Sequence, residues 1–344
     1  MAEVALVSLR PNIGGIVKVL VTGATGFVGS HVVDILLERG YDVSYVARAT
    51  SNHRWLDGKP VQRVDGSLFD MASLRTAVES VDYVIHVAGL TAAKNEEEFL
   101  RGNRDATRNL LDAIRSYNPS LRRYTHISTL AVCGPAESED KPTQPDSPLR
   151  PITAYGRTKK LAEDEVRSVM GELSATIVRP PAVYGPRDSA LLTYFQAVNR
   201  GIAPMIGFDE KKVSLVHVRD LARGIVDATF AESANGKTYF VSSDEFYTWP
   251  AVTKVTASVL GKSFVLPVRI PHFAVLGIAG IVGGIGKLIG KPPVLDYEKG
   301  IDISRKYWIC SNDAARRDFD YRQEIDIEHG VRETIAWYKA AGWL

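Results

Sequence analysis

The sequence contains little cysteine: its 344 residues include only Cys133 and Cys310. Two thiols cannot build a disulfide framework or a cysteine zinc site, so a reducing, cytoplasmic setting is predicted. Neither sign of charge is in excess, with 42 Lys and Arg against 40 Asp and Glu. This balance argues against a nucleic-acid partner and against an acidic tail. Because His31, His86 and His217 lack metal-ligand spacing, no metal is expected.

Long hydrophobic runs are also missing. The most apolar stretch, residues 273–289, contains five glycines and is interrupted by Lys287, whereas a membrane span needs about 20 apolar residues. We expect a helix or helix pair packed on the core or over a substrate pocket; the alternative is a membrane-facing lip for an apolar substrate. Residues 1–10 lack the basic start and cleavage site of a signal peptide. Residues 1–16 are expected to form a loose leader.

The first half of the chain alternates short β-branched runs with helical patterns such as residues 26–39 and 97–117. Continuous apolar strands separated by helices predict a parallel sheet covered on both faces. The predicted fold class is α/β, a doubly wound (Rossmann) parallel sheet with a smaller, mostly C-terminal α/β substrate domain. The predicted strands are Val17–Val21, Asp42–Val46, Val61–Val64, Tyr83–Val87, Tyr124–Ser128 and Ala175–Val178.

The domain division follows this pattern. Residues 17–180 are predicted to form the dinucleotide-binding domain, because a doubly wound sheet binds ligands at the carboxyl ends of its strands. Beyond residue 180 proline and glycine become denser, and strands and helices no longer alternate regularly. Residues 181–215 and 242–344 are therefore assigned to the substrate region. Residues 216–241 have a strand–helix–strand pattern and are expected to return to the large sheet.

A glycine-rich loop follows the first strand and opens a helix. The tight turn needs glycine, and the backbone must approach a pyrophosphate without an intervening Cβ. The helix N-terminus adds free N–H groups and a partial positive charge. Dinucleotide binding is predicted here, the alternative being a turn that binds nothing. The candidate contacts are Thr22, Gly23, Thr25, Gly26, Phe27, Val28 and Gly29.

The residues after the second strand predict which dinucleotide is preferred. A carboxylate there would bond the adenosine ribose 2′-hydroxyl, but residues 47–51 contain none. Arg48 can pair with a 2′-phosphate through its planar guanidinium, and Thr50 and Ser51 offer hydroxyl groups. NADP(H) is therefore predicted over NAD(H). The alternative is a solvated surface arginine.

Tyr155 and Lys159 are four residues apart in a helical pattern and therefore share one helix face. The ammonium is expected to lower the pKa of the phenol, which favours proton exchange at neutral pH. Ser128 and Thr129 end a predicted strand, and a hydroxyl there can bond a substrate oxygen as charge develops. For one of these two residues, capping of the next segment is the alternative.

These residues belong to an ordered series that resembles the extended short-chain dehydrogenases/reductases. That superfamily includes nucleotide-sugar epimerases, dihydroflavonol reductases and 3-beta-hydroxysteroid dehydrogenases. The resemblance runs from about Val17 to the C-terminus. Its motifs are Thr22–Gly29, His86–Gly89, Asn103 with Thr107 and Asn109, Ser128-Thr129, Tyr155-x-x-x-Lys159, Arg179–Pro186, Val216–Leu221 and Trp337-Tyr338.

The resemblance implies roles for these residues. Tyr155 would be the acid/base, Lys159 its electrostatic partner, and Thr129 the catalytic hydroxyl, with Ser128 just before it. Asn103 matches an asparagine that supports a water-linked proton path. Further cofactor contacts implied are Ser67 and Leu68 near the adenine, Ala88 and Gly89 after the fourth strand, Pro180, Ala182 and Val183 beside the nicotinamide, and Tyr155 and Lys159. Ser67 replaces the aspartate usual in the family, and a homodimer is also implied.

The substrate prediction rests on a missing arginine. Nucleotide-sugar members usually carry Arg-Asp-aromatic before the Val-His-Val segment, but here residues 213–215 read Val-Ser-Leu. A buried diphosphate needs a charged partner, which Lys211 or Lys212 could supply instead. We expect an NADP(H)-dependent oxidoreductase acting on a ketone, aldehyde or alcohol of an apolar, sterol- or dihydroflavonol-like molecule. The alternatives are a nucleotide-sugar epimerase/dehydratase with retained cofactor and a non-catalytic dinucleotide sensor.

Overall fold

The computed structural model describes residues 16–288 and 297–344. The expected leader, residues 1–16, lies outside this part of the chain except for Ile16, as does residue 289 of the apolar stretch. The strands of the described ranges are β1 (Lys18–Thr22), β2 (Asp42–Ala47), β3 (Val61–Asp65), β4 (Tyr83–His86), β5 (Arg123–Ile127), β6 (Ala175–Arg179), β7 (Ala182–Tyr184), β8 (Ile202–Ile206), β9 (Lys212–His217), β10 (Thr238–Phe240), β11 (Phe246–Thr248), β12 (Leu266–Ile270) and β13 (Tyr307–Trp308). The helices are α1 (Phe27–Glu38), α2 (Met71–Val78), α3 (Glu96–Leu100), α4 (Ala106–Tyr117), α5 (Ala154–Val169), α6 (Leu192–Asn199), α7 (Val218–Phe230), α8 (Trp249–Val259), α9 (His272–Leu288), α10 (Tyr297–Ser304), α11 (Asp313–Phe319) and α12 (Ile327–Ala340).

Seven strands form one parallel sheet in the spatial order β10-β6-β5-β4-β1-β2-β3. The chain moves outward from β1 to β2 and β3, then returns to the other side of β1 for β4. A doubly wound sheet opens its ligand crevice where the strand order reverses in this way. The crevice therefore lies at the carboxyl ends of β1 and β4.

The large sheet is covered on both faces because its strands are apolar on both sides. Val19 and Val21 of β1 pack in one buried layer with side chains of α1 and α7. Leu20, which points the opposite way, packs in the other layer with side chains of α2, α4 and α5. Because successive side chains of a strand point to opposite faces, one apolar strand contributes to the buried layers on both sides of the sheet. The helix α2, which had no counterpart among the sequence predictions, begins at Asp70, whose carboxylate accepts from the Ala72 N–H.

The helical pattern expected over residues 97–117 is interrupted by one wider turn. The helices α3 and α4 are joined by the π turn Arg101–Asp105, and Asn103 is buried at its centre. Single π turns within helices occur frequently at functional sites, because they redirect a side chain without ending the helix. The sequence pattern does not reveal this turn.

The smaller region has its own sheets. The strand β9 lies between β11 and β13 and also pairs with β7, and β8 pairs with β12 in a separate ribbon. Val216 and His217 belong to β9, so the chain returns to the large sheet only with α7 and β10. The α/β prediction, a doubly wound parallel sheet with a smaller α/β region, is confirmed.

The apolar stretch begins with helix α9, which is only partly covered. Val275 and Ala279 are buried, whereas Phe273 and Ile278 are exposed. On the covered side, a methyl group added to Gly300 of α10 would lie 3.1 Å from the Ala279 Cβ, so the two helices are in close contact. Among the described residues, no helix is long and apolar enough to cross a membrane.

Candidate active site

The candidate residues gather at one edge of the large sheet, because parallel strands all end there. The glycine loop follows β1, residues 88–89 follow β4, residues 128–129 follow β5 and residue 180 follows β6. Tyr155 and Lys159 reach this edge from the first two turns of α5. Ala182 and Val183 lie in β7, which crosses beside the same edge.

The glycine loop is shaped by close backbone contacts. Gly23 has φ +72°, and a Cβ added to it would lie 2.6 Å from the Ala88 nitrogen. A Cβ added to Gly29 would lie 2.1 Å from the Gly23 carbonyl oxygen. Gly26 differs: it is exposed, its φ of −86° suits any residue, and it caps α1 without a side-chain bond. The loop thus forms a narrow backbone cradle at a helix N-terminus, which fits a dinucleotide pyrophosphate.

The ends of β2 and β3 border the side expected to face the adenosine. Arg48 is exposed and has no carboxylate within ion-pair distance among the described residues. Leu68 is held in place by Asn109, whose amide donates to the Leu68 carbonyl oxygen at 2.9 Å. Ser67 accepts from the Phe69 N–H at 3.2 Å. These contacts fix the loop after β3 without occupying the guanidinium of Arg48.

Tyr155 lies in the first turn of α5. This helix starts at Thr153, whose hydroxyl accepts from the Gly156 N–H at 3.1 Å. The phenol lies close enough to the Thr129 hydroxyl for that group to affect its pKa. Thr129 also accepts from the Ala131 N–H at 3.2 Å, so this hydroxyl caps the next segment, as the alternative in the sequence analysis allowed. Ser128 is instead next to the Glu163 carboxylate.

The pKa of Tyr155 differs from the sequence-based expectation. Burial is the largest influence and raises it, the nearby Thr129 hydroxyl acts in the opposite direction, and the nearby Asp302 of α10 raises it further. The expectation that Lys159 lowers this pKa is therefore wrong in direction. The physical reason is that desolvation penalises a phenolate, while the lysine ammonium donates elsewhere.

Lys159 is buried, and its ammonium donates to the Ile127 carbonyl oxygen at the end of β5, with a distance of 2.6 Å. The His126 Nε2 lies 3.4 Å from the same nitrogen. Burial lowers the pKa of Lys159 to about 8, and the charge of Glu163 partly opposes this shift. The helix α5 is thus tied to the end of β5 by a charged donor that titrates unusually close to neutral pH.

Asn103 connects three elements through its side chain. Its Oδ1 accepts from the Leu90 N–H at 2.8 Å, and its Nδ2 donates to the Leu90 carbonyl and to Thr158 Oγ1. An added Cβ on Gly89 would lie 3.0 Å from Asn103 Oδ1 and 3.8 Å from Lys159 Nζ. The structure therefore brings Gly89, Asn103 and Lys159 together, but the amide of Asn103 is already bonded to the protein.

Two buried histidines support this edge and were not predicted as site residues. His86 Nδ1 is 2.6 Å from Thr22 Oγ1, and its Nε2 is 3.1 Å from Thr107 Oγ1. The His86 and His126 rings have centroids 5.5 Å apart. Burial, followed by the charge of Lys159, lowers the pKa of His86 to about 3 and that of His126 well below its usual range. Both imidazoles are therefore neutral. The feature of the sequence that could have indicated these two histidines is a polar residue within an otherwise buried strand.

A buried ion pair lies behind Ser128. The Arg179 guanidinium donates to Glu163 through Nε and Nη2, at 2.8 and 2.7 Å, and both side chains are almost fully buried. Burial opposes the charge on Glu163, but the bonds from Arg179 keep its pKa below the usual range. Because Arg179 ends β6, this pair fixes the sheet edge from which Pro180 continues. The pair was not predicted from the sequence.

The smaller region contacts the helix α5 through α10. Arg157 donates to Glu298 at 2.9 Å, and the Ala154 N–H donates to the same carboxylate. Arg157 also pairs with Glu96 of α3 at 2.8 Å. The first turn of α5 is thus held from both sides, between the helix that carries the π turn and α10. Within the described ranges, no cluster of three or more His, Cys, Asp and Glu side chains is placed to hold a metal ion.

A doubly wound parallel sheet with a glycine cradle after β1 and a Thr-Tyr-Lys set across the same edge defines a dinucleotide-dependent enzyme. Comparison with known families agrees: a model described as the NAD dependent epimerase/dehydratase family matches residues 19–242. The chain belongs to this family. The resemblance to the extended short-chain dehydrogenases/reductases, and the prediction of an NAD(P)-dependent enzyme, are confirmed.

Individual relatives cover nearly the whole chain. The chain is 29% identical to a ceramide reductase from Caulobacter vibrioides over 326 residues, which are 95% of this chain and 96% of that protein. It is 26% identical to a sterol-4-alpha-carboxylate 3-dehydrogenase, decarboxylating, from Dictyostelium discoideum over 332 residues, 92% of this chain and 99% of the relative. A UDP-glucose 4-epimerase from Thermotoga maritima superposes with a TM-score of 0.77 at 21% identity, covering 94% and 99% of the two chains. This last likeness is one of fold.

The different environments of the loop glycines allow the cradle to be tested. Gly26→Ala should lower the melting temperature only slightly, because its φ of −86° suits alanine but an added Cβ would lie 3.3 Å from the Gly23 carbonyl oxygen, a tight contact that the turn must relieve. It should weaken NADPH binding by about tenfold or more, since the loop glycines let the backbone approach the pyrophosphate. Gly29→Ala is the contrasting variant and should destabilise the fold by about 1–3 kcal/mol through overpacking. Unchanged NADPH affinity of Gly26→Ala in calorimetric titration would contradict the assigned cradle.

The lowered pKa of Lys159 predicts a pH-dependent stability. Between pH 8 and its ordinary value of 10.5, the unfolded state binds the lysine proton and the folded state does not. The free energy of unfolding, taken relative to Lys159→Met, should therefore rise with pH in this window, by at most about 1.4 kcal/mol per pH unit. Urea unfolding of both proteins at several pH values measures this difference. A difference that is flat between pH 7 and 10.5 would show that the ammonium titrates normally.

Proposed function

We propose that the protein is an NADP(H)-dependent oxidoreductase that reduces a ketone or aldehyde of an apolar substrate, or oxidises the corresponding alcohol. The observation that carries the proposal is that the Tyr155 phenol and the Thr129 hydroxyl lie close together at the sheet edge that also carries the glycine cradle. A phenol and a hydroxyl placed together can both bond one substrate oxygen. Glycine cradles of this kind place a dinucleotide at the same edge.

The chain's residues divide between holding the cofactor and acting on the substrate. Residues 22–29 would hold the pyrophosphate, Arg48 the 2′-phosphate, Ser67 and Leu68 the adenine side, and residues 88–89 and 180–183 the nicotinamide side. Bound there, the nicotinamide supplies or accepts the hydride, which no protein side chain can do. The protein positions the substrate oxygen and exchanges its proton.

Tyr155 is suited to donate a proton in the reductive direction. Burial raises its pKa, so the phenol is protonated at neutral pH and can transfer that proton to the substrate oxygen. Thr129 is the hydroxyl proposed to bond the same oxygen, because Ser128 is next to Glu163 instead. Lys159 acts by holding α5 against β5 and by placing its charge near the nicotinamide ribose. In the oxidative direction, the phenolate form of Tyr155 accepts the proton of the alcohol.

The region around β9 supports an apolar substrate rather than a sugar nucleotide. Val213, Ser214 and Leu215, which stand where a phosphate-binding arginine would be, are all buried. The two candidate substitutes are already paired: Lys211 with Asp209 and the Ser304 carbonyl, and Lys212 with Glu139. The relatives named for ceramide and for a sterol carboxylate fit the same proposal.

We also propose that the protein forms a homodimer in a reducing, cytoplasmic compartment. Both cysteines are free and buried, so neither is placed for an intermolecular disulfide. Leu161 of α5 and Tyr117 of α4 are exposed apolar side chains on helices of the large domain. These helices are the surface that we propose for pairing two copies.

Replacement of the phenol tests the acid/base role. Tyr155→Phe should lower kcat by a factor of about 10²–10⁴, because a positioned acid/base contributes that much, and should leave NADPH binding unchanged. NADPH oxidation should be followed with sterol, long-chain, flavonoid and sugar-nucleotide carbonyls. Tyr117→Phe, at an exposed tyrosine, is the matched control. Undiminished turnover of Tyr155→Phe would refute the role, and turnover of a sugar nucleotide without added cofactor would favour the epimerase alternative.

The cofactor preference depends on Arg48. Arg48→Ala should weaken NADPH binding by about 10–100-fold, the value of a charge-assisted hydrogen bond, and leave NADH binding unchanged. Arg63→Ala is the control, since its guanidinium is nearby in the sheet but already paired with Asp65. Fluorescence titration with both dinucleotides gives the two affinities. The preference for NADPH would be ruled out if the natural protein bound NADH and NADPH equally well and Arg48→Ala changed neither affinity.

A further inference from the structure

A short row of buried polar side chains lies between the large sheet and α4. Thr22 ends β1 and His86 ends β4, and the two residues are opposite each other in the parallel register of these strands. They point to the face of the sheet that Leu20 shares with α4, because every second residue of a strand faces the same way. Thr107 of α4 completes the row. All three side chains are buried, so their polar atoms need partners inside the protein.

The hydrogen bonds of this row fix the position of the His86 proton. The Thr107 hydroxyl has a single proton, and it donates this proton to the Asn103 carbonyl oxygen at 2.7 Å. The same hydroxyl oxygen is 3.1 Å from His86 Nε2, so it can only accept there. Burial and the charge of Lys159 lower the pKa of His86 to about 3, so its neutral ring carries one proton. That proton is therefore on Nε2.

The other ring nitrogen of His86 is then an acceptor. Its partner at 2.6 Å is the Thr22 oxygen, so the Thr22 hydroxyl donates to Nδ1. A lone pair of the same oxygen accepts from the Ala88 N–H at 3.4 Å. Although Thr22 begins the glycine loop, its hydroxyl proton is bonded to the imidazole and is not available to a phosphate.

These bonds close a ring around residues 88–90, which follow β4. At one end of this segment, the Ala88 N–H donates to the side chain that begins the glycine loop. At the other end, the Leu90 N–H donates to Asn103 Oδ1 at 2.8 Å. The imidazole and the threonine hydroxyl of α4 connect these two anchors. We call this set the buried ring, and its members are Thr22, His86, Ala88, Leu90, Asn103 and Thr107.

The buried ring joins the two parts of the site that a bound dinucleotide would span. One part is the glycine cradle, where a Cβ added to Gly23 would lie 2.6 Å from the Ala88 nitrogen. The other part is residues 88–90, on the nicotinamide side. We propose that His86, with its proton on Nε2, is a positioning residue that holds these two parts at the separation that a dinucleotide needs.

The inference rests on the dinucleotide site of the proposed function, but it gives His86 no contact with the cofactor. A site whose parts are already in place loses less conformational freedom when the ligand binds. This benefit is largest for a ligand that touches both parts at once. A ligand that touches only the adenosine side should depend little on the buried ring.

The position of the proton can be measured without a ligand or a variant. Nitrogen-15 spectra distinguish protonated from unprotonated ring nitrogens, and through-bond correlation from the backbone assigns the His86 signals. We expect a protonated Nε2 and an unprotonated Nδ1, unchanged over the pH range in which exposed histidines titrate. A proton on Nδ1, or a ring that titrates near neutral pH, would overturn the inference.

The positioning role is tested at Thr107, which belongs to the ring but not to the proposed cofactor contacts. Thr107→Val keeps the shape of the side chain and leaves the His86 Nε2–H without its acceptor. NADPH affinity should fall by about tenfold, the cost of a buried donor left unpaired. Affinity for adenosine 2′,5′-bisphosphate, which carries only the adenosine half, should change little. If the natural protein binds NADH more tightly, NADH and AMP take the places of these two ligands.

Two further variants serve as controls in the same titrations. Thr107→Ser keeps the hydroxyl and should bind NADPH as the natural protein does. Thr229→Val is the matched control on the other face of the sheet. Thr229 is also buried, donates to a carbonyl four residues earlier and contacts a second side chain, Thr125. It should lower the melting temperature about as much as Thr107→Val and leave NADPH affinity unchanged.

The outcomes separate this inference from the proposed function. A natural protein that binds neither NADPH nor NADH would refute the dinucleotide site, and the positioning role with it. If the natural protein binds NADPH and Thr107→Val binds it equally well, only the positioning role is overturned. Equal losses of affinity for the dinucleotide and for its adenosine half would show general damage to the site and would also overturn that role.

Discussion

The hydrogen bond from the Lys159 ammonium to the Ile127 carbonyl oxygen is the contact on which the active-site arrangement depends. It joins the helix α5 to the end of the central strand β5, one turn beyond Tyr155, and so holds the first turns of this helix at the sheet edge. The ammonium of Lys159 is buried, where desolvation disfavours its charged form and lowers its pKa. The neighbouring His86 and His126 are neutral for the same reason, so a second charge does not compete with the ammonium.

Much of this organisation could be predicted because it follows from local rules. Apolar strands separated by helices specify a parallel sheet, and parallel strands bring their carboxyl ends to one edge. The Thr22–Gly29 loop, Ser128-Thr129 and the ends of β4 and β6 therefore had to meet. The four-residue spacing of Tyr155 and Lys159 could be predicted equally well, since one helical turn separates them. The family to which the chain belongs could be named from these motifs, and the comparisons confirm it.

Other features depend on contacts between residues far apart in the sequence. The direction of the Tyr155 pKa shift is set by burial, which no spacing reveals. The π turn that presents Asn103 is a local change of winding without a sequence signal. Lys211 is bonded to Asp209 and to the Ser304 carbonyl, so it is not available to bind a phosphate. Because Ser304 is far away in the sequence, this pairing could be seen only in the folded chain.

The contact of Glu298 with the start of α5 has a consequence for how the chain folds. Ala154 and Glu298 are 144 residues apart, yet the carboxylate accepts from the first free N–H of α5. During synthesis, the large sheet and α5 emerge long before α10. The residues that match the family model end at 242, so they complete the sheet without this contact. The start of α5 therefore acquires this carboxylate only when the C-terminal segment docks, and a chain terminated early would bear Tyr155 and Lys159 on a helix whose first N–H lacks that partner.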